Sequence, residues 1–131
     1  MSDSELGYLR QQKRGSWQGS VSDFWGSAEV QLLLDADESG PSADQRALIR
    51  ELRENGIVPR DRIEAAIRAL IATTRDLTAP ATNPLRLSTI FIPRNLSSQT
   101  WRVWYDLEAE AVYWFGAEVK PDGEVIAFCE D

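Results

Sequence analysis

Asp106, Glu108 and Glu110 stand at every second position within WRVWYDLEAEAVYWFGAEV, residues 101–119, among six aromatic rings. Acids set among aromatics are the materials of a glycosidase-type cleft, in which two carboxyls face each other across about 5–10 Å. The same materials build a binding surface, because Trp, Tyr and Arg carry most of the affinity between proteins. Spacing separates the two readings. Side chains alternate along a strand, so acids at i, i+2 and i+4 point one way and do not oppose one another. A solvated turn is expected, with no catalytic residue. The alternative is a carboxylate-based hydrolase or metal-dependent enzyme, and it requires two of these acids to converge in a concave pocket.

DADESG, residues 35–40, offers a second chemistry. Asp35, Asp37, Ser39 and Gly40 match positions 1, 3, 5 and 6 of a calcium-binding EF-hand loop. The bidentate Glu of position 12 is replaced by Arg46, and the preceding segment reads as a strand. The expectation is a surface loop leading into a helix cap, with no metal and no cofactor, although the spacing alone leaves a divalent cation at Asp35 and Asp37 undecided. Cys129 is the one cysteine and histidine is absent. That excludes an internal disulfide, a thiolate metal cluster and the usual Ser-His or Cys-His nucleophile pairs. Cys129 sits in VIAFCED with no basic neighbour to lower its pKa, so it is expected to pack in the core.

The chain has 131 residues, 43% hydrophobic and 27% charged, enough for one domain with a core that needs neither metal nor disulfide. Its net charge is −7. Five acids and no basic residue lie in 17–40, seven arginines balance six acids in 41–79, and eight acids outnumber four basic residues in 80–131. Phosphate affinity comes from clustered positive charge, so nucleic acid is excluded as a partner. An acidic surface suits a basic protein partner or simply solubility. No apolar run approaches the ~20 residues that span a bilayer, and the N-terminus lacks the apolar region of a signal peptide. A cytoplasmic protein without membrane contact is expected. Twelve arginines against two lysines fit a GC-rich bacterial genome.

The elements that must position these residues follow from the hydrophobic pattern. Residues 1–14 are polar and aperiodic and are expected to be a flexible N-terminus; residues 15–131 form a single α+β domain. Trp17, Gly19 and Val21 alternate with polar residues, Gly26 supplies a turn, and Val30, Leu32 and Leu34 share one face of a returning strand, which together predict a β-hairpin. Ser42 and Gln45 spell a capping box for a helix over 43–54. Asn55 and Gly56 end it, both being tolerant of a left-handed backbone. A second helix follows from Pro59, with Ile63, Ile67, Leu70 and Ile71 as its stripe, so the two read as a two-helix hairpin, an antiparallel or angled pair. LRLSTIFI, TWRVWYDLE, EAVYWFGAEV and GEVIAFC are strands, the last two joined by a tight turn at Pro121-Asp122-Gly123. The fold expected is an N-terminal β-hairpin, two helices, then a C-terminal, mainly antiparallel sheet packed on the helices.

In strand register, Trp101, Val103, Tyr105 and Leu107 share one face, and Arg102, Trp104 and Asp106 share the other. The helices cover one face. The other presents Arg102, Trp104, Asp106 and Trp114 as the candidate partner-binding residues. The competing reading packs these aromatics on one another and on Trp17 or Trp25. A third reading is a structural or regulatory domain that forms a homodimer through an exposed sheet edge.

Taken together, Trp17, the LLLD at 32–35, Pro41 with Gln45 and Leu48, Asp106 with Glu108, and Gly116 with Val119 resemble a poorly characterised bacterial family. Its members open on a Trp-containing hairpin, continue through two helices and close on antiparallel strands. The family's closing segment carries Glu-His-Gly, where this chain has Tyr113, Trp114 and Phe115 before Gly116. The resemblance implies a non-enzymatic protein-binding role of the toxin-immunity kind.

Overall fold

The computed structural model describes residues 2–131. Strands β1 (Ser2–Asp3), β2 (Gly7–Lys13), β3 (Ser16–Phe24) and β4 (Ser27–Asp35) precede helices α1 (Ala43–Asn55) and α2 (Ile57–Thr73). Strands β5 (Leu85–Ile92), β6 (Trp101–Leu107), β7 (Trp114–Val119) and β8 (Val125–Glu130) follow. All eight strands form one sheet whose spatial order is the chain order. Neighbours are antiparallel except β4 and β5, which run parallel. The protein is therefore α+β, with two helices and a mainly antiparallel sheet. Parallel neighbours cannot be joined by a tight turn, and the two helices are the crossover that joins this pair.

Residues 2–13, expected to lie outside the domain, enter the sheet as β1 and β2. Their pattern is faint because only two apolar side chains point inward, Leu6 and Leu9, both buried. Leu9 lies over Gly19 of β3, where an added Cβ would meet its Cδ2 at 2.6 Å. Asp3 fastens this corner. One carboxylate oxygen accepts from the backbone N–H of Glu5 and Leu6, and the other pairs with Arg46 of α1. Burial acts to raise the Asp3 pKa, but Arg46 and the two N–H donors outweigh it and hold the carboxyl below its usual range.

The two helices meet at a corner, the angled of the two arrangements expected for the pair. One residue, Gly56, joins them, too short a link for antiparallel packing, so the helices touch only near the joint. α2 runs over β7 and β8. α1 is held to the N-terminal strands through Arg46–Asp3, Arg50–Glu5 and Arg53, whose guanidinium sits 5.3 Å from the centre of the Phe24 ring. Gly56 has φ −84°, so it is not there for a left-handed backbone. It is there for space: a Cβ would lie 1.9 Å from the Leu52 carbonyl oxygen and 2.6 Å from the Trp25 indole nitrogen. Trp25 and Gly26 form the two-residue turn of the β3–β4 hairpin, with φ of 50° and 80° as a primed turn requires. The Trp25 N–H donates to Leu52 O at 3.0 Å, which ties that turn to the end of α1.

One apolar core lies between the helices and a single face of the sheet. The alternation read from the sequence holds: Trp17, Val21, Val30, Leu32, Leu34, Trp101, Val103, Tyr105 and Leu107 all point in. In β5 the alternation breaks at Ser88, where a bulge lets Leu87 and Ile90 both face the core. The Tyr105 hydroxyl reaches through the core to donate to Glu64 of α2 at 2.9 Å. Burial, then the Glu64 carboxylate, push its pKa well above the usual range, so it stays a neutral donor.

Gln45 ties the crossover to the strands. The capping box forms as read: Ser42 Oγ accepts from the Gln45 N–H, and Gln45 Oε1 accepts from the Ser42 N–H at 3.0 Å. The Gln45 side-chain amide, with the residue only 1% exposed, also donates to Asp35 O at the end of β4 and to Pro93 O just after β5. One side chain thus joins the helix start to both parallel strands. Gln45→Ala leaves the Ser42 N–H and the carbonyls of Asp35 and Pro93 without this partner and should cost about 3 kcal/mol. Gln45→Glu keeps the acceptor and loses the donors, so urea titration should find it destabilised as well. Gly56→Ala, which any backbone angle here would permit, should lose about 2 kcal/mol through the clash alone. An unchanged melting temperature would show that the corner has room.

Candidate functional site

The sheet face opposite the helices has no described element over it. β6, β7 and β8 build its chemistry as a grid set by their register. Arg102 lies opposite Glu118, which lies opposite Ile126; Trp104 lies opposite Gly116, which lies opposite Phe128; and Trp114 lies opposite Glu130. Arg102, Trp104, Asp106 and Trp114, singled out from the sequence, all sit on this face. Trp114 is 60% exposed and Ile126 40%. Trp104, Asp106, Trp114 and Glu130 share a depression of ≈ 400 Å³ with Leu33 of β4 and Thr89 of β5.

Gly116 makes the centre of this face. Without a side chain there, the Phe128 ring lies across β7 and meets Trp104 edge-on, with ring centroids 5.9 Å apart. A Cβ on Gly116 would come within 2.4 Å of Phe128. The Trp104 N–H donates to Glu130 at 3.2 Å. Arg102 and Glu118 are 3.5 Å apart and both partly exposed, an ion pair worth little to stability. Trp17 and Trp25 lie elsewhere, donating to Asp37 O and Leu52 O, so they do not cover Trp104 or Trp114. The members missed from the sequence are Ile126, Phe128 and Glu130. Their signal was present: alternation in VIAFCE, with the register of the Pro121-Asp122-Gly123 turn, sets them beside Trp104 and Trp114.

The three acids of the opening stretch separate. Asp106 stays on the open face, where it lies opposite Arg86. Glu108 follows the end of β6 in a turn that Ala109 enters with φ 68°. Glu110 turns back into the structure. Its Oε1 accepts from the N–H of Thr78 and Ala79, at 2.7 and 3.1 Å, and its Oε2 from those of Val112 and Tyr113, at 3.0 and 3.2 Å. One carboxylate therefore clasps the β6–β7 turn to the segment after α2. Burial acts to raise the Glu110 pKa, but the four donors prevail and hold it below the ordinary 4.5. Both oxygens are occupied by the protein's own backbone.

The other sequence candidates are engaged in similar ways. Asp37 accepts from the N–H and hydroxyl of Ser39, and those bonds hold its carboxyl below the usual range. Asp35 pairs with Arg94 at 3.2 Å in a depression also lined by Lys13 and Arg14. Three cations beside Asp35 oppose a divalent ion there. Among the described residues, no group of three or more His, Cys, Asp or Glu is placed to hold a metal ion. Cys129, expected in the core, is exposed on the edge strand β8. Burial of the thiol, then the charges of Asp131, Glu110 and Glu130, push its pKa up and keep it protonated. No helix of the described residues is long and apolar enough to cross a membrane.

Compared with known proteins, the chain matches no family model, no curated protein and no solved structure.

The Glu110 clasp carries a pH signature. Its folded pKa lies below its unfolded value, so its stabilisation is complete above about 4.5 and is lost as pH falls through the lower folded value. Glu110→Gln should lower the melting temperature at pH 7, and the gap from the wild type should close as pH drops from 4.5 towards 3. Thermal unfolding of both proteins across that range checks it, and a gap that ignores pH would refute the assignment.

Proposed function

We propose that this chain is a non-enzymatic protein-binding domain of a bacterial cytoplasm, of the toxin-immunity kind, and that Arg102, Trp104, Asp106 and Trp114 receive a basic partner. One observation carries the reading: a sheet covered on one face only leaves Trp114 and Ile126 solvent-facing beside Trp104 and Phe128. Aromatic anchors ringed by polar groups are the residues on which binding energy concentrates, often 2 kcal/mol or more each. Carboxylates of Asp106, Glu118 and Glu130 outnumber Arg102 and Arg86 around these rings. The net charge of −7 adds a long-range attraction for a positively charged protein and speeds encounter. Arg102 and Glu118, held in a weak surface pair, can each exchange that partner for one on the incoming molecule.

The test uses immobilised wild type beside Trp114→Ala, Asp106→Lys and, on the far side of the molecule, Glu51→Ala. Wild type and Glu51→Ala should capture one dominant basic protein from a bacterial lysate. Trp114→Ala and Asp106→Lys should weaken its binding at least about tenfold, or 1.4 kcal/mol, by titration. Trp114→Ala should melt within about 1 °C of the wild type, because an exposed side chain contributes little to folding. Capture insensitive to both open-face variants would overturn the reading.

A further inference from the structure

β8 is the last strand of the sheet, and no described element lies beyond it. Lys120 N–H donates to Glu124 O at 2.9 Å, which sets the phase of the β7–β8 ladder. Antiparallel ladders alternate bonded and non-bonded pairs. Ile126, Phe128 and Glu130 therefore bond to β7, and the N–H and C=O groups of Val125, Ala127 and Cys129 point away from the sheet. β7 and β8 pair through six residues without a bulge, and β8 contains no Pro, Lys or Arg. Those are the devices by which proteins usually blunt an edge, and this edge lacks them.

In the two registers that pair the whole of β8 with itself, a second copy of the chain is a poor occupant. Centring a two-fold axis on Ala127 sets Glu124 against Glu130 of the other copy, at both ends of the new pair. Centring it on Phe128 sets Val125 against Asp131 and Ile126 against Glu130 of the other copy. Like charges directly opposite destabilise a strand pair, and a carboxylate set opposite Val125 or Ile126 gains no partner there. The end of the edge that carries Cys129 is acidic throughout: Asp131, Glu110 and Glu130 all act on the thiol.

We propose that the free edge of β8 receives an extended, basic segment of a protein partner, added to the sheet as a ninth strand. The inference rests on the open-face reading for the partner being a basic protein, and it adds the mode of attachment. Main-chain bonds from Val125, Ala127 and Cys129 supply affinity in such strand addition. A Lys or Arg of the segment lies against Glu130 and Asp131. Alternate apolar side chains of the segment continue the surface of Ile126 and Phe128, so edge and open face form one continuous site.

Three blocked synthetic peptides test this by amide hydrogen exchange on the intact protein. One alternates valine and threonine between terminal lysines; the second replaces the lysines by glutamates; the third is the lysine peptide N-methylated at alternate backbone nitrogens. The lysine peptide should slow exchange at Val125, Ala127 and Cys129 at least tenfold, and the other two should not. Ala127→Pro removes an outward N–H without breaking the ladder to β7 and should abolish the protection. Asp131→Lys, exposed just past β8, should weaken it. Equal protection by the lysine and glutamate peptides would overturn the proposal, as would no protection by either. Shifts confined to the Trp104 and Trp114 indoles would overturn the edge and leave the open-face reading standing. Slowing of the three amides with rising protein concentration alone, with a doubled mass in light scattering, would make a second copy the occupant and overturn it too.

Discussion

Gln45 meets the start of α1, the end of β4 and the residue after β5 with one buried amide. Each half of the sheet is a meander whose strands are joined locally, and neither half dictates where the other goes. The parallel contact between β4 and β5 decides that, and parallel pairing cannot be enforced by a turn. It depends on a crossover held in place at its entry. A Gln is suited to this because its side chain both accepts and donates. It closes the capping box with its oxygen and satisfies two strand-end carbonyls with its nitrogen. Ser27, also buried, pins the same seam near its other end by donating to Leu87 O at 2.7 Å.

From that seam follows the one-sidedness of the molecule. Among the described residues, the connection between β4 and β5 is the one that carries helices, and both fall on one side of the sheet. No element of the described residues covers the other side, and its large residues pack only sideways. Trp104 and Phe128 meet above Gly116 for this reason, and Trp114 remains in water. The same topology leaves β8 at the margin, because the chain order is the sheet order and β8 closes it. The open face and the open edge thus share one cause and lie side by side.

Where the pattern was local, it was legible. Ser42 and Gln45 formed the expected capping box, and the inward faces of β3, β4 and β6 fell where alternation placed them. Where a residue's role depended on something distant in sequence, the pattern misled. Gly56 read as a left-handed helix end, yet it is a gap left for Leu52 O and the Trp25 indole, which arrives from thirty-one positions away. Cys129 read as core from its apolar neighbours, but apolar residues on an edge strand need not be covered. β1 and β2 went unread because two leucines and a salt bridge to Arg46 hold them, too little signal for a periodicity. Glu110 read as one of three equivalent acids, and only the approach of Thr78 and Ala79 set it apart.

By itself, the sequence determined the elements from β3 onwards, their phase and which side of β3, β4 and β6 is apolar, because those follow from a neighbour one to four residues away. It also placed Arg102, Trp104, Asp106 and Trp114 on one face before any contact was known, since a strand has only two. Which face the helices would cover, that β4 and β5 would run parallel, and that Phe128 would lean over a glycine to reach Trp104 were decided by tertiary packing. Those outcomes depend on surfaces meeting across long stretches of chain, and a hydrophobic pattern records that a side must be buried without recording against what.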